Sequence, residues 1–226
     1  MSKGIFITAT GTDVGKTFVT GLIVKKLRES GYNVGYYKAA LSGAEVTENG
    51  LIPGDADYVN RVANIGEKME NLVSYVYKNA VSPHLAAMIE GNPIEMDIVK
   101  AAYQKSASKY DYVTMEGSGG IVCPIRYDEN KIMLENIIQE LNLSTLIIAD
   151  AGLGTINAVV LTVEYMKQRN IPIKGIIFNH YHEGNVMEDD NKKMVEEMTG
   201  LPVIALVKDN DTDLKIDVDK LVALYA

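Results

Sequence analysis

The chain has 226 residues, 47% hydrophobic and 23% charged, with a net charge of −8. Its length can bury the core of one α/β domain, and an acidic balance with no basic run excludes nucleic acid as the main partner. A lone cysteine, Cys123, excludes an intrachain disulfide and points to a reducing, cytoplasmic setting; Met1-Ser2-Lys3 leads into a strand and not a leader, and no apolar run nears the ~20 residues that span a bilayer.

The first predicted strand covers residues 4–9 and breaks into Ala9-Thr10-Gly11-Thr12-Asp13-Val14-Gly15-Lys16-Thr17. A helix over 16–29 follows, with Phe18, Leu22, Ile23 and Leu27 at helical spacing. A strand, a glycine-bearing loop closing in Gly-Lys-Thr and a helix make a phosphate-cradling P-loop. Gly15 lets the backbone approach phosphate without a Cβ in the way. Successive N–H groups and the helix N-terminus supply positive potential. Lys16 can reach the β- and γ-phosphate oxygens, and the Thr17 hydroxyl can ligate Mg²⁺. The usual spacing needs glycine at Thr10, so the loop reads as one residue longer, opening at Ala9. A chance Gly-Lys-Thr at a helix start is the alternative, and the flanking strand and helix speak against it.

Gly31 closes the helix and residues 33–37 read as the second strand, with a loop over 38–53. Helices are predicted at about 55–64, 83–90 and 95–109, and a strand over 111–115. Then come a helix over 132–141, a strand over 145–149 and a helix over 156–168. A strand over 173–178 ends in Asn179, and a helix at 188–198, a strand at 203–207 and a helix at 217–225 complete the chain. This alternation predicts an α/β, P-loop NTPase-type three-layer fold: a mostly parallel sheet covered by helices on both faces, in one domain over 1–226. Ligands of such sheets sit beyond the carboxyl ends of the strands.

Those ends carry unusual polar residues. Lys38 follows the second strand and can serve as a second cation for a transferring phosphoryl group, or be a solvated lysine packed on Tyr36 and Tyr37. Asp55, in Gly54-Asp55-Ala56, reads alone as a helix cap. Glu116 ends an apolar strand before Gly117-Ser118-Gly119-Gly120, where P-loop proteins hold Mg²⁺ through an acid. With Thr17 and Asp55 it makes a set of hard oxygen ligands. Asn179 offers the donor–acceptor pair that reads an adenine edge, or is a turn former. His84, His180, His182 and Cys123 read as capping, loop or packing residues.

Taken together, Thr12 to Thr17, Tyr37-Lys38 with Ser42-Gly43, Gly54-Asp55-Ala56, Ser82-Pro83-His84, Glu116 to Gly120, Gly154-Thr155-Ile156-Asn157 and Asn179 resemble the dethiobiotin synthetase family. The resemblance implies closure of a cyclic urea on 7,8-diaminopelargonic acid with CO₂, driven by Mg·ATP through a carbamate and a carbamic–phosphoric anhydride. It implies catalytic roles for Lys16, Lys38 and Thr12, with Thr17, Asp55 and Glu116 holding Mg²⁺. Nucleotide contacts fall to Asp13, Val14, Gly15, Lys16, Thr17, Phe18, Asp55, Glu116, Gly117, Ser118, Gly119 and Asn179. Substrate contacts fall to Ser42, Gly154, Asn157 and Asn191, with the helix N-terminus at Gly154 contributed by the second subunit of a homodimer.

The chain departs from the family pattern at Ala9, Asp13, Ala39 and over Ala205 to Lys208. The rival readings are a related amidoligase and a P-loop switch ATPase of the partitioning type. An amidoligase would carry a glutaminase domain for which 226 residues leave no room. The switch class carries a signature lysine where this chain has Thr10 and Gly11, and Lys215 to Ala226 does not read as a basic membrane helix. A nucleotide kinase would show an arginine-rich lid, whereas Arg28, Arg61, Arg126 and Arg169 are scattered.

Overall fold

The computed structural model describes residues 2–48 and 50–225; Met1, Asn49 and Ala226, which fall within the expected 1–226 domain, lie outside the described residues. In chain order the elements are β1 (Lys3–Ala9), α1 (Lys16–Glu29), β2 (Val34–Ser42), β3 (Glu45–Thr47), β4 (Gly50–Ile52), α2 (Gly54–Val62), α3 (Met69–Leu72) and β5 (Val73–Tyr77). They continue with α4 (Pro83–Glu90), α5 (Met96–Lys109), β6 (Tyr112–Glu116), β7 (Pro124–Tyr127), β8 (Lys131–Met133), α6 (Leu134–Glu140) and β9 (Ser144–Asp150). The last are α7 (Thr155–Gln168), β10 (Ile173–Asn179), α8 (Val186–Thr199), β11 (Val203–Leu206) and α9 (Val218–Val222).

Seven strands form one parallel sheet in the order β11-β10-β9-β1-β6-β2-β5. The central strands are buried on both faces, which is why β1 and β9 read as unbroken apolar runs and not as alternating ones. The chain leaves β1 toward β2 on one side and later returns to β9 on the other, so β1 stands at the switch point where a crevice opens at the carboxyl ends. No helix among the described residues is long and apolar enough to cross a membrane.

Several features differ from the expectation. The second strand runs on to Ser42, so Lys38 lies within it and not at its end. Its charge costs the strand little because Glu116 sits directly opposite in the register. The stretch after it, expected as loop, contains the β3–β4 hairpin. The edge strand β5 is not among the predicted strands, although Val73-Ser74-Tyr75-Val76-Tyr77 alternates buried and half-buried as an edge strand should. The β7–β8 hairpin is a further addition to the predicted elements; its turn is closed by Asp128, whose carboxylate accepts from the Asn130 N–H at 2.8 Å and from Arg126. The final helix is shorter than expected, capped by Asp217 at the Lys220 N–H and ending at Val222.

Candidate active site

The site is assembled where β1, β2 and β6 end. The Thr10 N–H donates to Ile148 O of β9 at 3.0 Å, which ties the start of the loop to the sheet. The loop closes at Gly15, whose φ of 81° is left-handed. A Cβ there would lie 2.0 Å from Asn179 Nδ2, so both conformation and space require glycine. Asp13 is also left-handed, at φ 62°, a conformation aspartate tolerates better than most residues. The carbonyl of Gly15 then receives the Val19 N–H, and α1 begins at Lys16.

Pairing of β2 with β6 sets Lys38 opposite Glu116, and pairing of β1 with β6 sets Ile7 opposite the same residue. The Lys38 ammonium donates to Asp55 Oδ2 at 2.6 Å, to Glu116 Oε1 at 2.8 Å and to Gly117 O at 3.3 Å. Thr17 donates its hydroxyl to Glu116 Oε1 at 2.8 Å, and Lys16 Nζ lies 3.8 Å from the same oxygen. Tyr36, two residues before Lys38, donates to the other oxygen, Oε2, at 3.2 Å. Glu116 and Lys38 are buried, at 1% and 3% exposure. Such a pair is tolerated inside a protein because each charge faces its opposite and further hydrogen bonds complete it.

The electrostatics follow from that geometry. Burial pulls the Lys38 ammonium toward its neutral form, but Glu116 and Asp55 more than offset this and hold its pKa above the ordinary lysine value. For Lys16, burial and the facing Lys38 ammonium win, and its pKa falls. Burial would raise the Asp55 carboxyl; Lys38 and the Thr17 hydroxyl reverse that and hold it low. Burial also pushes the Cys123 thiol up to about 11, so it has the character of a packing residue and not of a nucleophile.

Two cavities adjoin here and share Thr12, Asp13, Ser42, Ser118 and Gly119. The first, about 520 Å³, is lined by the charged groups Lys16, Lys38 and Asp55 with Thr17 and Phe18. The second, about 670 Å³, continues past Ser82 and Pro83 and has a mixed lining in which Val81, Val122 and Cys123 supply an apolar wall. Ser118 anchors the turn between them by donating to Ala40 O at 3.0 Å. The carboxylates of Asp55 and Glu116 already hold a positive charge, the Lys38 ammonium, and with the Thr17 hydroxyl beside them these hard oxygens suit a hard divalent cation. No group of three or more His, Cys, Asp or Glu able to hold a metal occurs among the described residues. A cation at this place would therefore complete its shell with phosphate and water oxygens, as Mg²⁺ does.

Of the residues singled out in the sequence, Thr12, Asp13, Gly15, Lys16, Thr17, Phe18, Lys38, Ser42, Asp55, Ser118 and Gly119 line the first cavity. Glu116 and Gly117 lie beneath it. Asn179 is buried at the far side of the loop, donating to Val14 O at 3.1 Å while its Oδ1 has no partner among the described residues. Gly154 and Asn157, at the start of α7, are exposed and line neither cavity of their own chain. Asn191 is buried, and both its amide hydrogens are taken by Ala151 O and Gly152 O, at 2.9 and 3.0 Å. Through these bonds it braces the loop before α7. Sequence reasoning missed Tyr36, Leu41, Val81 and Val122; only Tyr36 had a signal, its two-residue spacing from Lys38 along one strand face. His180 Nδ1 pairs with Asp150 Oδ2 at 2.7 Å and His182 Nδ1 with Glu188 Oε1 at 3.0 Å.

A phosphate loop at the switch point of a parallel sheet, with two lysines and two carboxylates at its mouth, defines a nucleotide-binding α/β protein of the P-loop class. Solved structures agree on the fold: a ParA family ATPase from Chlorobium tepidum (TM-score 0.54, 15% identity, 93% of this chain and 84% of that one) and the MinC:MinD cell division complex of Aquifex aeolicus (0.55, 13%, 97% and 85%). The family model described as an AAA domain matches residues 3–213. The ATP-dependent dethiobiotin synthetase BioD of Brachyspira hyodysenteriae is 54% identical over 227 residues, covering all of both chains. The enzyme of that name from Clostridium botulinum is 52% identical over 225 residues, covering 100% of this chain and 99% of that one. The chain belongs to the dethiobiotin synthetase family.

Proposed function

We propose that this protein is the ATP-dependent ligase that closes the cyclic urea of dethiobiotin on 7,8-diaminopelargonic acid and CO₂, as a single domain acting within a homodimer. The observation that carries the reading is the convergence of Lys16, Lys38, Thr17, Asp55 and Glu116 at the mouth of the Gly15 turn, beside a second cavity with an apolar wall. The charged cavity suits a triphosphate; the adjoining one suits an aliphatic diamine. A substrate amine joined to CO₂ as a carbamate, set at the shared wall of Thr12, Ser42 and Gly119, stands beside the γ-phosphate. The carbamate oxygen attacks phosphorus and ADP leaves, giving the mixed anhydride. The second amine then attacks the carbonyl carbon, phosphate departs and the nitrogen gives up its proton.

The protein's contribution is positioning and charge. Lys16 lies along the phosphates. Lys38, whose ammonium is held by Asp55, Glu116 and Gly117 O here, would turn from the two carboxylates once they engage a divalent cation, and then stabilises the crowded anionic oxygens of carbamate and γ-phosphate. Thr12 and Ser42 supply hydroxyl donors to the carbamate. Thr17, Asp55 and Glu116 would hold Mg²⁺, which when bound neutralises charge on the β- and γ-phosphates. The unpartnered Oδ1 of Asn179 is an acceptor suited to an exocyclic amine such as that of adenine. Gly154 and Asn157 face outward from their own chain, which suits a contribution to the substrate carboxylate of a second subunit at a helix N-terminus.

The test is a mass-spectrometric search for dethiobiotin after incubation with the diamine, bicarbonate and Mg·ATP, alongside ADP release. Product formation with ADP release dependent on the diamine supports the reading. ATP turnover indifferent to diamine and bicarbonate would replace it with a switch ATPase.

A further inference from the structure

We infer that Tyr36 is a positioning residue for the Glu116 carboxylate, its hydroxyl holding Oε2 so that Oε1 is presented to the Thr17 hydroxyl and the phosphate loop. The inference rests on the reading of Glu116 as a metal ligand. In the β2–β6 register Tyr36 stands opposite Thr114 and Lys38 opposite Glu116, so the period of two brings residues 36 and 38 to the same side of the sheet. Tyr37 faces the other way and pairs with the Ser74 hydroxyl at 2.7 Å. The Tyr36 hydroxyl makes one hydrogen bond among the described residues, to Glu116 Oε2 at 3.2 Å, and the side chain is fully buried.

The two oxygens of Glu116 thus have separate duties. Oε1 receives Thr17 at 2.8 Å and Lys38 at 2.8 Å, and faces Lys16 at 3.8 Å. Oε2 receives only Tyr36 among these groups. The last torsion of a glutamate is broad and roughly two-fold, so without a partner on Oε2 the carboxylate plane would be free to swing. A hydrogen bond to the oxygen turned away from the ion is the usual means of orienting a ligating carboxylate. A phenylalanine would fill the same core volume; what tyrosine adds at this position is the hydroxyl on Glu116.

The experiment uses the full chain with ADP and Mn²⁺ as the probe, reading free Mn²⁺ by electron paramagnetic resonance for the wild type, Tyr36→Phe, Tyr37→Phe and Glu116→Gln. Tyr36→Phe is expected to bind Mn²⁺ about tenfold more weakly, and Tyr37→Phe within about twofold of wild type. Affinity for ADP in EDTA should be the same in Tyr36→Phe and wild type, which also shows that the variant is folded. In turnover assays the Mg²⁺ concentration for half-maximal rate should rise in Tyr36→Phe while the rate at saturating metal is kept. Wild-type Mn²⁺ affinity in Tyr36→Phe, with affinity lost in Glu116→Gln, would overturn the inference and leave the role of Glu116 standing. Wild-type affinity in Glu116→Gln would overturn both. An equal loss of ADP affinity in EDTA would reduce Tyr36 to packing and overturn the inference as well.

Discussion

At the scale of single residues, Lys38 carries the most tension. Its ammonium lies inside a strand and survives there through Asp55 and Glu116. Lys38→Ala removes the cation from two carboxylates at once, so two effects are expected. Turnover should fall by at least about a hundredfold, since the lost interaction is felt mainly in the transition state. Stability should fall as well, because Glu116 is left buried without its ammonium partner; removing one partner of a buried pair costs about 3–5 kcal/mol, and the half-exposed Asp55 contributes little to that figure. Steady-state kinetics on protein shown to be folded by circular dichroism, with a urea melt beside them, separates the two. Near-normal turnover in the folded variant would strip Lys38 of its catalytic role.

At the scale of elements, one turn shapes the site and another sets the start of a helix. Gly15 joins β1 to α1 in a left-handed conformation, and a methyl group there meets both strain and the Asn179 amide. The left-handed penalty is about 1–2 kcal/mol for a residue with a Cβ, so Gly15→Ala should weaken ADP binding by about tenfold or more. Isothermal titration tests this; an ADP affinity within about twofold of wild type in Gly15→Ala would show that the loop accommodates a Cβ.

The second turn leads from β10 into α8. There Glu188 accepts from the His182 N–H at 2.6 Å and pairs with His182 Nδ1 at 3.0 Å, while Asn185 caps the helix. The hydrogen bond to Glu188, ahead of the carboxylate's charge, raises the His182 pKa above its ordinary value. A raised folded pKa means that this stabilisation is complete below the ordinary histidine value of about 6.5 and lost as pH rises through the folded one. The melting-temperature advantage of wild type over His182→Ala should therefore be greatest near pH 6 and shrink toward pH 9. An advantage independent of pH would show that His182 contributes packing alone.

At the scale of the whole molecule, the exposed apolar residues bear on assembly. Leu153 is 92% exposed just before α7, Leu161 is 62% exposed on that helix, and Val122 is 59% exposed beside the second cavity. Leu161 and Val122 line a common hollow of about 500 Å³ with Thr10 and Thr12 of the phosphate loop. A second copy covering this surface would bring a foreign α7 N-terminus toward the site. Light scattering should then give twice the chain mass for the wild type and half of that for Leu153→Asp/Leu161→Asp, with turnover falling in parallel. A monomeric wild type with full turnover would dispose of the shared site.

Much of this was legible in the chain because it depends on local chemistry. The P-loop reads directly, since its glycine, lysine and threonine stand next to one another and each answers to a backbone or charge requirement of phosphate. The central strands read equally well, because burial on both faces leaves an unbroken apolar run. The edge strand β5 and the two hairpins were lost, since short half-buried strands owe their existence to a neighbour more than to their own pattern. Lys38 looked like the end of a strand because its sequence neighbours say nothing of the carboxylate opposite.

The sequence by itself determined which groups were available: a phosphate loop, two lysines, two carboxylates and the residue types of a parallel α/β sheet. Only the tertiary structure decided that Asp55 and Glu116 share one ammonium, that Asn191 spends its amide on a loop, and that Tyr36 reaches Glu116. Each of these contacts joins residues that strand register or loop packing brings together across 17 to 80 positions of chain. Hydrogen bonds and ion pairs act over a few ångströms of space, and separation along a chain carries no information about that distance until the sheet is formed.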